Sequence, residues 1–278
     1  MRRALSVGFA PHAVLLTWLC ALLRAHAFSG RGQWVEIVPQ TLAGTATSVL
    51  VIGAGAAVLG LVLHPFQIRA VRLFEGYWDR WTLTARLADV LIGHQRRRWR
   101  AIDARARGTG RRRPRRDSGS PMGDGSARER VRANAEHRLA ALPPLDVLLP
   151  TALGNALRAG ELRAGERYGL ATLASWPRIY PQLSRPLASA VGSARDTLDT
   201  SVNLSYSFLA CALVSAAAVY DEPGMWWLPA ASLGAAALSY KGAVTAAQGY
   251  AHLMHIVYDL LAGLLAAFGL WRIRHRVS

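Results

Sequence analysis

Long uncharged runs and one arginine-dense stretch divide this chain. Ala43 to Leu63 (AGTATSVLVIGAGAAVLGLVL) is 21 residues without a charge. About 20 helical residues cross a bilayer core of roughly 30 Å, so the run predicts a transmembrane helix over 41–64. Its Gly53, Gly55, Ala56 and Gly60 leave room for a second helix to approach closely. A second apolar region, 202–240, reads as a transmembrane hairpin. Asn203 to Tyr220 forms the first arm, Asp221-Glu222-Pro223-Gly224 the turn and Leu228 to Tyr240 the second arm, which ends at Lys241. Met225-Trp226-Trp227 beside the turn suits a membrane interface, where amphipathic rings settle. Residues 1–28 fit two descriptions. Arg2 and Arg3, the apolar stretch Ala13 to Leu23 and the triplet Ala25-His26-Ala27 have the form of a secretory signal peptide. The same residues, with Arg24 before the triplet, also fit a retained first transmembrane helix, and both descriptions stay open.

Between the runs the periodicity is helical and the surface polar. Pro65 to Trp81 mixes Phe74, Tyr77, Trp78 and Trp81 with Arg69, Arg72 and Arg80, as in an interfacial helix with snorkelling arginines. Leu83, Leu87 and Leu91 extend a helical spacing to about Ala106, giving interfacial or cytoplasmic helices over 65–107. Residues 108–126, rich in Gly, Pro, Ser and Arg, predict a flexible basic linker. Residues 127–201 return to helical spacing, interrupted at Pro143-Pro144, as a cytoplasmic helical segment. At the far end, Lys241, Thr245, Gln248, His252, His255 and Asp259 recur at steps of four and three, one polar stripe on one helix. This predicts an amphipathic helix over 241–278, continuous with the hairpin and lying at the cytoplasmic face.

Charge sets the orientation. The chain has 33 Lys plus Arg against 17 Asp plus Glu, and Lys241 is its one lysine. Residues 64–201 hold 25 arginines and 13 acids, whereas 29–42 and the hairpin tip hold almost no cations. Positive charge near membrane ends stays inside, so the expected location is the cell (inner) membrane, multi-pass, with 65–201 cytoplasmic. Near-absence of lysine with abundant alanine fits a GC-rich genome. Arg96 to Arg116 carries 11 arginines in 21 residues. Arg96, Arg97, Arg98, Arg111, Arg112 and Arg113 are therefore expected contacts for anionic inner-leaflet lipid. Nucleic acid is disfavoured, because Trp99 is the one aromatic available for stacking there. Cys20 and Cys211 lie in apolar runs and read as small buried hydrophobes.

No P-loop, H-E-x-x-H, nucleophile elbow or kinase signature occurs, and Gly53-x-Gly55 lies inside a span rather than after a strand. His252, His255 and Asp259 share a helical face without an evident fourth ligand, so no metal and no cofactor is expected. The strongest polar cluster is Asn155, Arg158, Glu161, Trp176, Arg178 and Tyr180, a candidate ligand or partner patch. Arginine forks there suit a phosphate or a carboxylate. A structural role is the favoured reading: Arg158 and Glu161 are an i,i+3 helix pair, and the prolines form a corner.

Leu153-Gly154-Asn155-x-Leu157-Arg158-x-x-Glu161, then Arg167-Tyr168-Gly169, then Trp176-Pro177-Arg178-x-Tyr180-Pro181 resembles a segment of uncharacterised multi-pass membrane proteins of actinobacteria and related bacteria. Glu75-Gly76-Tyr77-Trp78 and the closing pattern of Tyr240, Ala243, Ala246-Ala247, Tyr250 and Tyr258-Asp259-Leu260 fit the same family, over about 43–270. After Leu260 the resemblance implies an arginine where this chain has Ala262-Gly263. It implies an all-α multi-pass membrane fold and carries no activity. The expected function is a non-enzymatic interaction or scaffold component that docks an unidentified protein or a second copy of itself. A membrane enzyme or binder of phosphate-bearing lipid headgroups is the alternative, and an oligomeric channel subunit a weaker one.

Overall fold

The computed structural model of the chain describes residues 2–30, 32–37, 42–78, 82–108 and 121–274. Every regular element among them is helical. The chief helices are α1 (Arg2–Arg24), α2 (Leu42–Leu63), α3 (Gln67–Glu75), α4 (Thr82–Ala106), α5 (Pro121–Ala140), α6 (Ala152–Arg163), α7 (Thr172–Ile179), α8 (Arg185–Ala218) and α9 (Trp227–Arg274). Among the described residues three stretches are long and apolar enough to cross a membrane: Val7–Arg24, Gly44–Glu75 and Arg185–Ala218. The expected second arm of the hairpin, 228–240, is not among them. It opens α9, and its 13 residues rise only about 20 Å at 1.5 Å each. The chain divides into one unit of residues 1–72 and 192–246 and another of residues 73–191 and 247–278.

In the first unit α1 packs on α2 through small residues. A side chain on Gly8 would come within 3.5 Å of the Gly60 Cα, and one on Gly55 within 2.9 Å of Leu16. Ala56 is fully buried, and His12, also buried, bonds through Nδ1 to the Gly8 carbonyl. Gly53 faces open space, so three of the four small residues singled out in α2 serve the contact. The opposite face of α2 exposes Leu50, Val51, Val58 and Leu61, a surface that hydrocarbon solvates better than water. The turn after α8 is fastened to the segment after α1. Glu222 accepts from the Gly32 amide and, at 3.2 Å, from Trp34 Nε1. Trp18 Nε1 donates to Ser215 at 2.7 Å, beside a core of Leu22, Ala25, Ala218, Val219 and Leu228. Thus the two segments assigned by charge to the same side touch one another. Tyr220, Trp226 and Trp227 stay exposed next to them.

In the second unit α4 and α5 form a hairpin closed by Ile102, Ala106 and Ala135. Trp99 Nε1 donates to the Pro143 carbonyl at 3.2 Å, which fixes the chain where Pro143-Pro144 ends α5. Helix α5 starts at Pro121, inside the stretch expected as linker, while 109–120 lie outside the described residues. Thr151 then caps α6, accepting from the Gly154 amide at 3.0 Å. Seven of the 12 residues of α6 are buried, from Leu153 to Gly160. A left-handed Gly169 (φ 70°) turns the chain into α7. Helix α9 runs unbroken for 48 residues, as the polar stripe predicts. Lys241, Thr245, Gln248 and His252 are exposed, and Ala243, Ala247, Tyr250, Met254 and Val257 are buried opposite them.

Candidate functional site

The motifs at Glu75-Gly76, Leu153–Glu161, Arg167–Gly169, Trp176–Pro181 and Tyr258–Leu260 meet in the second unit. The turn Glu75-Gly76 sits on the start of α6. Thr151 Oγ1 donates to the Glu75 carbonyl at 3.0 Å, and a side chain on Gly154 would stand 2.1 Å from that oxygen. Gly76 has φ 94° and faces Pro150, where a Cβ would be 2.5 Å from the ring, so it lacks one for two reasons. The turn is therefore packed tightly against the start of α6. One turn on, Asn155 is fully buried. It accepts from the Leu149 amide at 2.7 Å and donates to the Leu149 carbonyl at 2.9 Å, straightening the chain before α6.

Arg158 is occupied by carboxylates. Nη1 lies 2.9 Å from Glu161 and 2.7 Å from Glu166, and Nη2 lies 3.3 Å from Glu166. Burial alone pulls the guanidinium's pKa down. Hydrogen bonds to Glu161 and Glu166 outweigh it, and the pKa is raised overall. These contacts tie α6 to the loop after it. Thr172 does the same for α7: its hydroxyl donates to the Glu161 carbonyl at 2.7 Å and accepts from the Gly165 amide at 2.9 Å.

Helix α9 completes the junction. Gly160 lies so near it that a Cβ would fall 2.4 Å from that of Ala251. Tyr258 is 1% exposed; its hydroxyl donates to the Thr172 carbonyl at 3.1 Å and lies 2.7 Å from the Ser175 hydroxyl. Trp176 stacks on Tyr258 with centroids 6.2 Å apart, meets Tyr250 edge-on at 6.5 Å and is 6.0 Å from Tyr180. Asp259 accepts from the Tyr168 hydroxyl at 2.5 Å, with Arg167 3.7 Å and His255 3.4 Å away. That hydrogen bond, with His255 and Arg167 in support, holds the Asp259 carboxyl below the ordinary carboxylate range against its own partial desolvation. It also raises the Tyr168 phenol above its usual value.

Of the expected patch, Asn155, Arg158, Glu161 and Trp176 are thus absorbed into internal contacts. Arg178 and Tyr180 are exposed, and the Arg178 carbonyl accepts from Gln182 at 3.0 Å. Arg96, Arg97 and Arg98 are exposed on α4, whereas Arg111, Arg112 and Arg113 lie outside the described residues. Among the described residues no group of three or more His, Cys, Asp or Glu is placed to hold a metal ion. His255 instead donates from Nδ1 to the Arg163 carbonyl at 3.1 Å.

Two neighbouring clefts were not foreseen. One, of about 320 Å³, is lined by His137, Gly160, Arg163, Gln248, His252 and His255 among others. The second, of about 350 Å³, is apolar, with Trp99, Leu139, Leu142 and Leu162, and shares Ala159 and Arg163 with the first. Arg163 is the residue that reading by motif missed. It is one of 32 arginines and lies between the two motifs that drew attention. A spacing signal did exist, since Gly160 marks where α6 must touch another helix. Desolvation lowers the Arg163 pKa, and among the described residues no carboxylate pairs with it.

No family model, no curated protein and no solved structure matches this chain.

Proposed function

We propose that the protein is a multi-pass component of the cell membrane whose second unit is a cytoplasmic docking module, a scaffold rather than a catalyst. Three helices of span length supply the anchor. The observation that carries the docking part is the surface of α7 and its approach. Tyr168, Leu170, Leu173 and Tyr180 are all exposed, Leu173 to 70%, although Thr172, Ser175 and Trp176 between them are tied into the junction. Large apolar groups held outward by a rigid support suit a partner's surface. Arg178 beside them favours a partner with an acidic rim. The polar residues that would make chemistry elsewhere serve the fold here: Arg158, Asn155, Thr172 and Tyr258 each spend their hydrogen bonds internally.

The test is a photoreactive amino acid at Leu173 in living cells. A cross-linked band of defined mass, competed away by an excess of the natural chain and lost in an Arg178→Glu background, supports docking. Exclusive cross-linking to lipid would remove the reading.

A further inference from the structure

We infer that the paired clefts around Arg163 bind a phosphate-bearing amphiphile, with the phosphate in the polar cleft and the chain in the apolar one. This goes beyond the docking reading and does not depend on it. The polar cleft is walled by three helices, α5, α6 and α9, and no residue that lines it is acidic. Arg163 offers a planar fork with no carboxylate partner among the described residues, in contrast to Arg158, whose fork is filled by Glu161 and Glu166. His137 reaches the cleft from α5 and His252 from α9, and Gln248 adds an amide one turn before His252. Imidazole and amide N–H groups together with a guanidinium make a donor set for a tetrahedral oxyanion. His255 is held away from this duty by its bonds to the Arg163 carbonyl and to Asp259. That contact also fixes the main chain from which Arg163 projects. Tyr168 and Arg167 cover the charge of Asp259, one turn beyond His255.

The apolar cleft decides the ligand's other end. Trp99, Leu139, Leu142 and Leu162 offer aliphatic and aromatic wall, and Arg163 stands on the shared border. A headgroup phosphate at the fork would put an attached chain against these residues. Volumes of about 320 and 350 Å³ fit a small phosphate ester and a short run of chain, not a whole bilayer lipid. The arginine excess of 64–201 raises the local concentration of anions of any source.

The experiment uses the full chain in phosphatidylcholine nanodiscs, titrated with inorganic phosphate and, separately, with oleoyl lysophosphatidate, read by calorimetry. Saturable binding of both, tighter for lysophosphatidate, is expected. Arg163→Gln should weaken both by about tenfold or more, the loss expected for a charge-assisted bidentate contact. Arg86→Gln removes the same charge from an exposed site on α4 and should change neither. Arg163→Lys, which keeps the charge without the fork, should fall between, and its unchanged helix content by circular dichroism separates lost binding from lost folding. Equal affinity for the two ligands overturns the amphiphile assignment and leaves a site for soluble phosphates. Equal losses in Arg163→Gln and Arg86→Gln, or no saturable binding of either ligand, overturn the site itself.

Discussion

Asp259 and Tyr168 make one short hydrogen bond, and its energetics depend on pH at both ends. Asp259 has a folded-state pKa below the ordinary value near 4, so it stabilises the fold above that value and the contribution is lost as pH falls through the folded pKa. Tyr168 has its pKa raised above about 10, so its contribution is present below that value and is lost as pH rises through the raised one. Asp259→Asn should therefore lower the melting temperature in mild detergent most between about pH 5 and 9, and the gap to the natural protein should narrow on either side. A gap that is constant from acid to alkali would assign the loss to packing instead. Asn155 is a stricter case because it is buried. Asn155→Ala leaves the Leu149 amide and carbonyl without their partner, at about 1–3 kcal/mol for each group that water does not reach. Denaturant unfolding of the variant should show that loss, while Asn155→Asp, which retains the acceptor alone, should also be destabilised by burying a charge. Equal stability of Asn155→Ala and the natural protein would mean that solvent takes over at Leu149.

At the scale of elements, close helix contacts are built on glycine. Gly160→Ala pushes a Cβ into Ala251 of α9 and should cost about 1–3 kcal/mol, the usual range for overpacking. A paired change, Gly160→Ala with Ala251→Gly, should recover most of it, and failure to recover would locate the strain elsewhere in α6. The contact of α1 with α2 gives a sharper readout. With Cys20 and Cys211 changed to Ala, Gly8→Cys and Gly60→Cys should form a disulfide on mild oxidation, since their main chains lie within bonding range. The bond requires α1 to remain attached, so a chain that lacks it after export would show none. Much of this level is written in local spacing. The polar stripe from Lys241 to Asp259 predicts the unbroken α9, and the leucines after Trp81 predict α4 to its last turn. Small residues in α2 predict a partner, though not that Gly53 would be spared. The candidate patch was legible as a cluster but not as a structure. Motif spacing shows that Arg158 can reach Glu161, yet Glu166 reaches the same fork only because the loop after α6 folds back. Nor does any local pattern reveal that His137, Arg163 and His252 line one cleft, because they come from three helices. Helix α5 beginning at Pro121 was hidden by a composition that reads as linker.

At the scale of the molecule, on the proposed multi-pass reading, the parity of membrane crossings decides where α9 ends. Three qualifying helices, counted alone, would leave it on the side opposite the start of α1. The charge pattern asks for the same side, since Arg272, Arg274 and Arg276 cluster at this end of the chain. Residues 227–246 resolve the conflict. They belong to the same compact unit as α1 and α2 and, at 1.5 Å per residue, run about 30 Å, the thickness of a bilayer core. This part of α9 is apolar enough for a protein-lined route though not for a lipid-lined one. Ser205 of α8 donates to the Ala236 carbonyl at 3.1 Å, and Ser232, Ala236 and Ala243 are buried against neighbours. A helix shielded in this way can carry serines and a tyrosine that a lone span would not tolerate. It is therefore expected to return to the inside, with Lys241 near the inner surface. Two labels test the arrangement in a chain with Cys20 and Cys211 changed to Ala. An impermeant maleimide on intact cells should modify Gly224→Cys at the turn and not Val131→Cys on α5, and opening the membrane should expose both. An alkaline phosphatase fused after Ser278 should be inactive. An active fusion with the same maleimide pattern would keep α8 as the last crossing and place the end of α9 outside, against its arginines.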